Sequence, residues 1–109
     1  MSVNTQDTFT DEAIRDTSNH NGVTVFNGDF VVKTLIIENG LNQIVTLQSQ
    51  ASGHADFSNS FDVGSAFDVS ASTNTYQTCE SYFPYWRLTA ICGTAPTTGT
   101  LTVIVLGVE

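Results

Sequence analysis

From Gly22 onward, short apolar-rich runs alternate with turn residues, and helical apolar spacing never extends beyond one turn. Val23-Thr-Val-Phe26 is followed by an Asn27-Gly28-Asp29 turn and then by Phe30–Glu38, the strongest local signal for a β-hairpin. Asn39-Gly40 makes a second turn before Gln43–Gln50, where Val45 and Leu47 face inward, or Ile44 with Thr46 if the register slips. A polar loop, Ala51–Asn59, precedes Phe61–Ser70, with a bend expected at Gly64. The segment Ala71–Asn74 then turns the chain into Thr75–Glu80. Tyr85–Cys92 alternates, with Trp86, Leu88, Ala90 and Cys92 on one face and Tyr85, Arg87, Thr89 and Ile91 on the other. The spacing predicts a hairpin between Tyr76–Glu80 and Tyr85–Cys92 around Ser81–Pro84. After the Ala95–Gly99 turn the run Thr100–Val108 completes seven or eight strands, spaced about 8 to 12 residues apart. The pattern predicts an all-β chain over residues 22–109, an antiparallel β-sandwich of jelly-roll type or, failing that, a small barrel.

Two stretches depart from wet-face, dry-face alternation. The last run is apolar on both sides: Leu101, Val103 and Val105 on one, Ile104, Leu106 and Val108 on the other. An antiparallel sheet normally leaves one face to water. Either Ile104 and Leu106 meet another subunit, or the strand is central and covered by the N-terminal segment. Residues 1–21 are polar and acidic and read as an extended N-terminal arm, with Phe9 and Ile14 as its only anchors onto a neighbour. Thr10 is placed to cap one helical turn through Asp11–Arg15.

Composition narrows the partners. Charged residues are 13% of the 109-residue chain, and the net charge is −8 with three Lys and Arg in total: Arg15, Lys33 and Arg87. Such a surface repels phosphate backbones and anionic lipid, which disfavours nucleic-acid and membrane partners. Low lysine with high acidity also suits a halophilic setting, as it suits any ordinary acidic protein. The first residues lack the basic start and apolar stretch of a signal peptide, so synthesis in a cytoplasm is expected. In the expected hairpin Cys79 lies opposite Trp86, far from Cys92, which predicts two free buried thiols.

Candidate chemistry is sparse. His54-Ala-Asp56 and the distant His20 do not make a metal-ligand set, and no calcium loop, nucleophile elbow or phosphate-cradling glycine loop is present. No catalytic residue, metal or cofactor is expected, and the chain reads as a non-enzyme. The densest aromatic cluster, Tyr82-Phe-Pro-Tyr-Trp86 followed by Arg87, has the rings and planar guanidinium that sugar sites and protein hot spots both use. Trp86 reads better as core, whereas Tyr82 and Tyr85 are the better surface candidates. Arg87 is expected to pair with an acid, in this chain or in an acidic neighbour.

Two stretches carry a resemblance: Lys33-Thr-Leu-Ile-Ile-Glu-Asn-Gly-Leu-Asn-Gln-Ile-Val-Thr-Leu-Gln48, and Tyr82-Phe-Pro-Tyr-Trp-Arg-Leu-Thr-Ala-Ile-Cys-Gly-Thr-Ala-Pro-Thr-Thr-Gly-Thr-Leu-Thr-Val103. Together they cover most of residues 33–105. An apolar strand ending in Asn-Gly-Leu, a Thr/Gln strand, an aromatic–Pro–Tyr–x–Arg turn and a Thr-Ala-Pro-Thr-x-Gly turn resemble small virion proteins of tailed bacterial and archaeal viruses. The resemblance implies a sandwich that assembles on a virion as a capsid decoration, turret or tail component. Its implied partners are further copies of itself, as a symmetric homo-oligomer, and other virion proteins such as the major capsid protein. A trimer or pentamer would match capsid axes. Similar strands occur in carbohydrate-binding sandwiches, so a glycan-binding module, possible on the virion itself, is the alternative.

Overall fold

The computed structural model describes residues 3–26, 32–80 and 85–108. Among the described residues nine strands run in chain order: β1 (Val3–Glu12), β2 (His20–Asn21), β3 (Val25–Phe26), β4 (Val32–Asn39), β5 (Val45–Ser52), β6 (Phe61–Val69), β7 (Thr73–Glu80), β8 (Tyr85–Ile91) and β9 (Leu101–Val108). They form two antiparallel sheets. Sheet A has the order β1-β9-β4-β7, and sheet B has the order β2-β8-β5-β6, with β3 also pairing β8. Treating β2 and β3 as one interrupted strand gives eight strands dealt alternately to two four-stranded sheets except at β5 and β6, which share one, the jelly-roll arrangement the sequence pattern predicts.

The pairing is far less local than the turn signals suggest. The Asn27-Gly28 hairpin does not form: β3 lies in sheet B on β8, whereas β4 lies in sheet A. Residues 27–31, which hold that turn, lie outside the described residues. Nor do β7 and β8 make a hairpin, because β7 pairs β4 while β8 pairs β5. Among the described strands only β5 and β6 are neighbours in both sequence and sheet. Connections that cross between sheets let each apolar face meet its counterpart at once, which a meander of hairpins would not.

The N-terminal segment is a correction. Residues 3–12, expected as an extended arm, are the edge strand β1, paired to β9 from Val3↔Val108 to Glu12↔Leu101 with irregularities on either side of Phe9. No helical turn follows Thr10; its hydroxyl donates instead to Asp7 Oδ2 at 3.1 Å. Phe9 and Ile14 are buried in this chain's own core at 4% and 0% exposure, which removes them as anchors onto a neighbour. Thr-rich polar sequence satisfies one pleated edge because only every second side chain needs to be apolar.

The core fills the space between the sheets with Leu35, Ile37, Val45, Leu47, Trp86, Leu88, Leu101 and Val103, all essentially inaccessible. Trp86 is therefore core and not a sugar platform. Cys92 is buried and free, and burial, helped by nearby Asp16, raises its thiol pKa; Cys79 lies outside the residues whose side chains are described. Two glycines set close approaches. A Cβ on Gly22 would meet Thr8 Oγ1 at 2.3 Å, where Thr8 and Val23 exchange hydrogen bonds that tie β1 to the link before β3. Gly99, at φ +88°, would place a Cβ 1.8 Å from the Gly40 carbonyl oxygen. That contact seats the 95–99 turn on the 40–42 turn, where Gly40 N donates to Thr100 O and Thr97 N to Asn42 Oδ1. Buried Asn39 ties the same corner, its Nδ2 lying near the carbonyls of Gln43, Val69 and Ser70 while its Oδ1 accepts from Leu41 N.

Candidate interaction surfaces

With the inward positions spent on the core, the outer faces of the two sheets and their edges carry whatever the protein does. Sheet A presents its outer face through alternate residues of β1, β9, β4 and β7. Register places Asp7, Ile104, Ile36 and Tyr76 in one row across all four strands. The next row holds Thr5, Leu106, Thr34 and Thr78. Ile36, Ile104 and Leu106 are half-buried and Tyr76 is 72% exposed. The run β9 is thus apolar on both sides because it is central, between β1 and β4. The N-terminal strand pairs along its edge and does not cover its outer face, so Ile104 and Leu106 remain at the surface. Glu38 and Thr102 lie opposite each other in the flanking row.

Sheet B is mostly polar outside, with Ile91 an exposed exception. Arg87 is half-buried, and its Nε and Nη2 donate to the single acceptor Gln50 Oε1 at 3.1 and 3.0 Å. The same guanidinium lies 4.1 Å from the centre of the Phe57 ring. A cation stacked on an aromatic face keeps its hydrogen-bonding edge free for in-plane partners. Gln50 is oriented from the far side by Asp62, whose Oδ1 accepts from Nε2 at 3.1 Å. Burial lowers the guanidinium pKa. Among the described residues no carboxylate lies within ion-pair distance of Arg87, so an acid of this chain is not its partner there. Tyr85 sits half-buried two residues along on the same strand face; Tyr82 lies outside the described residues.

Sequence reasoning missed Phe57. It is held at φ +61°, a backbone state that a bulky residue occupies only when its surroundings impose it. Ser52 Oγ donates to Ser58 O at 2.7 Å and accepts from His54 N at 3.0 Å, which folds the 53–60 loop back over the sheet. The available signal was a lone aromatic in an otherwise polar loop. His54 and Asp56, weighed as metal ligands, sit exposed on this loop. His20 is elsewhere, with Nε2 2.8 Å from Asp16 Oδ1 and Nδ1 3.8 Å from Glu12 Oε1. Hydrogen bonds from His20 and Ser18 hold the Asp16 carboxyl below its ordinary value. Among the described residues no group of three or more potential ligands converges on a metal position.

No protein-family model matches the chain, and no curated protein matches it by sequence. Solved structures do share its fold. The PBSX exported protein XepA aligns over 96% of the chain at 15% identity with a TM-score of 0.70, the chain spanning 36% of XepA's length. The SPBc2 prophage-derived protein YomS aligns over the whole chain and 96% of its own, at 14% identity and a TM-score of 0.58. PirA aligns over 96% of the chain and 93% of its own, at 13% identity and a TM-score of 0.56. At such identities the likeness is one of fold: the chain is an antiparallel β-sandwich of the kind found in XepA, YomS and PirA.

Proposed function

We propose that this chain is a non-enzymatic structural protein of a virus particle, a capsid decoration, turret or tail component, that assembles through subunit contacts. The observation that carries the reading is the apolar row Ile104–Ile36–Tyr76, with Leu106 beside it, left on the outer face of sheet A. Partly exposed apolar groups aligned on one sheet face favour a protein partner, because covering them removes apolar area from water. One of the similar structures, YomS, is of a prophage-derived protein by name, and the strand-and-turn resemblance points the same way. Its partners on this reading are further copies of itself and other virion proteins.

The test is the mass of the purified chain by light scattering at low and at multimolar salt. A closed oligomer is expected, tighter at high salt because the −8 charge is screened there. Ile104→Lys is expected to weaken it. A monomer at both salts overturns the reading.

A second reading, a glycan-binding module, is favoured by one observation: Arg87, held in plane by Gln50 and stacked on Phe57. Buried Trp86 counts against it, and the site would rest on Tyr85, Arg87, Gln50 and Asp62. Glycan binding abolished by Tyr85→Ala and by Arg87→Ala would establish it; no binding by the wild type would remove it.

A further inference from the structure

A β-sandwich has four sheet edges, and here three of them carry devices that block a further strand. The β1 edge is irregular around Phe9, has Asp11 at φ +45°, and bears Asp7, Asp11 and Glu12. The β6 edge is bulged between its pairs with Leu47 and Ser49, where Gly64 takes φ +71°, and bears Asp62 and Asp68. The β2 and β3 edge is made of two-residue strands. Bulges, charges and short strands are how proteins keep an edge from pairing.

The β7 edge has none of them. It runs eight residues, paired with β4 without a shift from Asn39↔Thr73 to Val32↔Glu80. Its sequence, Thr-Asn-Thr-Tyr-Gln-Thr-Cys-Glu, contains no proline or glycine and no charge before Glu80. Residues 74–78 are exposed on both faces of the strand. The sandwich is also open on this side. A cavity of about 210 Å³ lies between the β6 bulge and β7, lined by Ser49, Val63, Ser65, Phe67, Gln77 and Thr78.

We infer that β7 is the edge at which two copies of this chain pair, antiparallel about a two-fold axis, joining their A sheets into one eight-stranded sheet. The occupant follows from charge and register. On a molecule of net charge −8, residues 73–79 are an uncharged stretch, so two copies meet there with the acids of β1 at the far edge of each sheet. Leu35 and Ile37 fix the facing: Gln77 and Thr75, opposite them, point inward, and Tyr76 points outward. Antiparallel pairing about a two-fold axis must match outward residues with outward ones. Centring on Tyr76 pairs Thr73 through Cys79, leaves Glu80 beyond the pairing, and sets Tyr76 against its mate, Asn74 against Thr78, and Thr75 against Gln77. The apolar row Ile104–Ile36–Tyr76 then continues into its two-fold copy. Thr75 and Gln77 of the added strand close the mouth of the cavity, whose lining mixes Ser49, Ser65 and Gln77 with Val63 and Phe67. This contact rests on the assembly reading and names one of its surfaces; it closes at two copies, and any three- or five-fold contact must use another face.

Two variants of the full chain test it. Tyr76→Glu sets two carboxylates opposite each other at the axis. With the side chain 72% exposed, thermal stability is expected to hold while the dimer weakens at least tenfold by light scattering. Tyr76→Cys, made in a Cys79→Ser parent, is expected to form an intermolecular disulfide on mild oxidation. Directly opposed positions on antiparallel strands fall within the α-carbon separation a disulfide spans. Asp7→Cys in the same parent, at the far edge, is expected not to cross-link. An oligomer whose mass survives Tyr76→Glu overturns the β7 contact and leaves the assembly reading standing. A wild type that is monomeric at every salt overturns both.

Discussion

Single side chains decide whether the two sheets hold their corners. Asn39 is 1% exposed, and its amide serves backbone groups from two segments, the 41–43 turn and residues 69–70. Asn39→Ala strands buried carbonyls and an N–H without a partner, for an expected loss of about 2 kcal/mol in urea unfolding. Asn39→Asp is expected to be worse, since a carboxylate oxygen would then face those carbonyls. Asp16 links stability to pH. Its carboxyl is held below 3.8 by His20 and Ser18, so it binds a proton more weakly folded than unfolded. The group therefore stabilises the fold above its unfolded pKa, and that contribution is lost as pH falls through the folded value. Urea unfolding followed down through the carboxylate range should show Asp16→Asn lacking this part of the acid-induced loss. None of this was visible in the sequence, because Asn39 reads there as a turn residue and Asp16 as one acid among many.

At the scale of elements, strand identity was legible and strand pairing was not. The runs read from alternation at 61–70, 85–92 and 100–108 end within a residue of β6, β8 and β9. Their inward sets, Trp86, Leu88, Ala90 and Leu101, Val103, Val105, are the buried ones. Alternation reports which side of a strand is dry, and says nothing about which strand lies beside it. Hairpin signals at 27–29 and 81–84 therefore led to local pairs where the chain changes sheets. β1 escaped because Phe9, its one core residue among those described, gives no period to read; its threonines were the available cue. Turns matter to elements when they touch across the sandwich, as at Gly99. Gly99→Ala must both hold φ near +88° and clear the Gly40 carbonyl, so a loss of more than about 2 kcal/mol is expected in thermal unfolding.

For the whole molecule, the candidate surfaces were legible only in part. Arg87, Tyr85, Ile104 and Leu106 lie on outer faces, whereas Trp86, Phe9 and Ile14 went to the core. Large apolar residues are the common currency of cores and contacts alike, so sequence cannot tell which use a given one serves. Tyr76, Ile36 and Phe57 were missed because each gains its meaning from neighbours far along the chain. The topology also sets a clock. Sheet A acquires its second strand, β9, last of all, and β9 divides β1 from β4. Until about residue 101 has left the ribosome, β1 has no strand beside it, and the row through Ile104 does not exist. Nascent chains crowded on one message can therefore present the β4–β7 pair, but not the part of this face that β1 and β9 complete. The outer face of this sheet is therefore completed only when synthesis has passed β9.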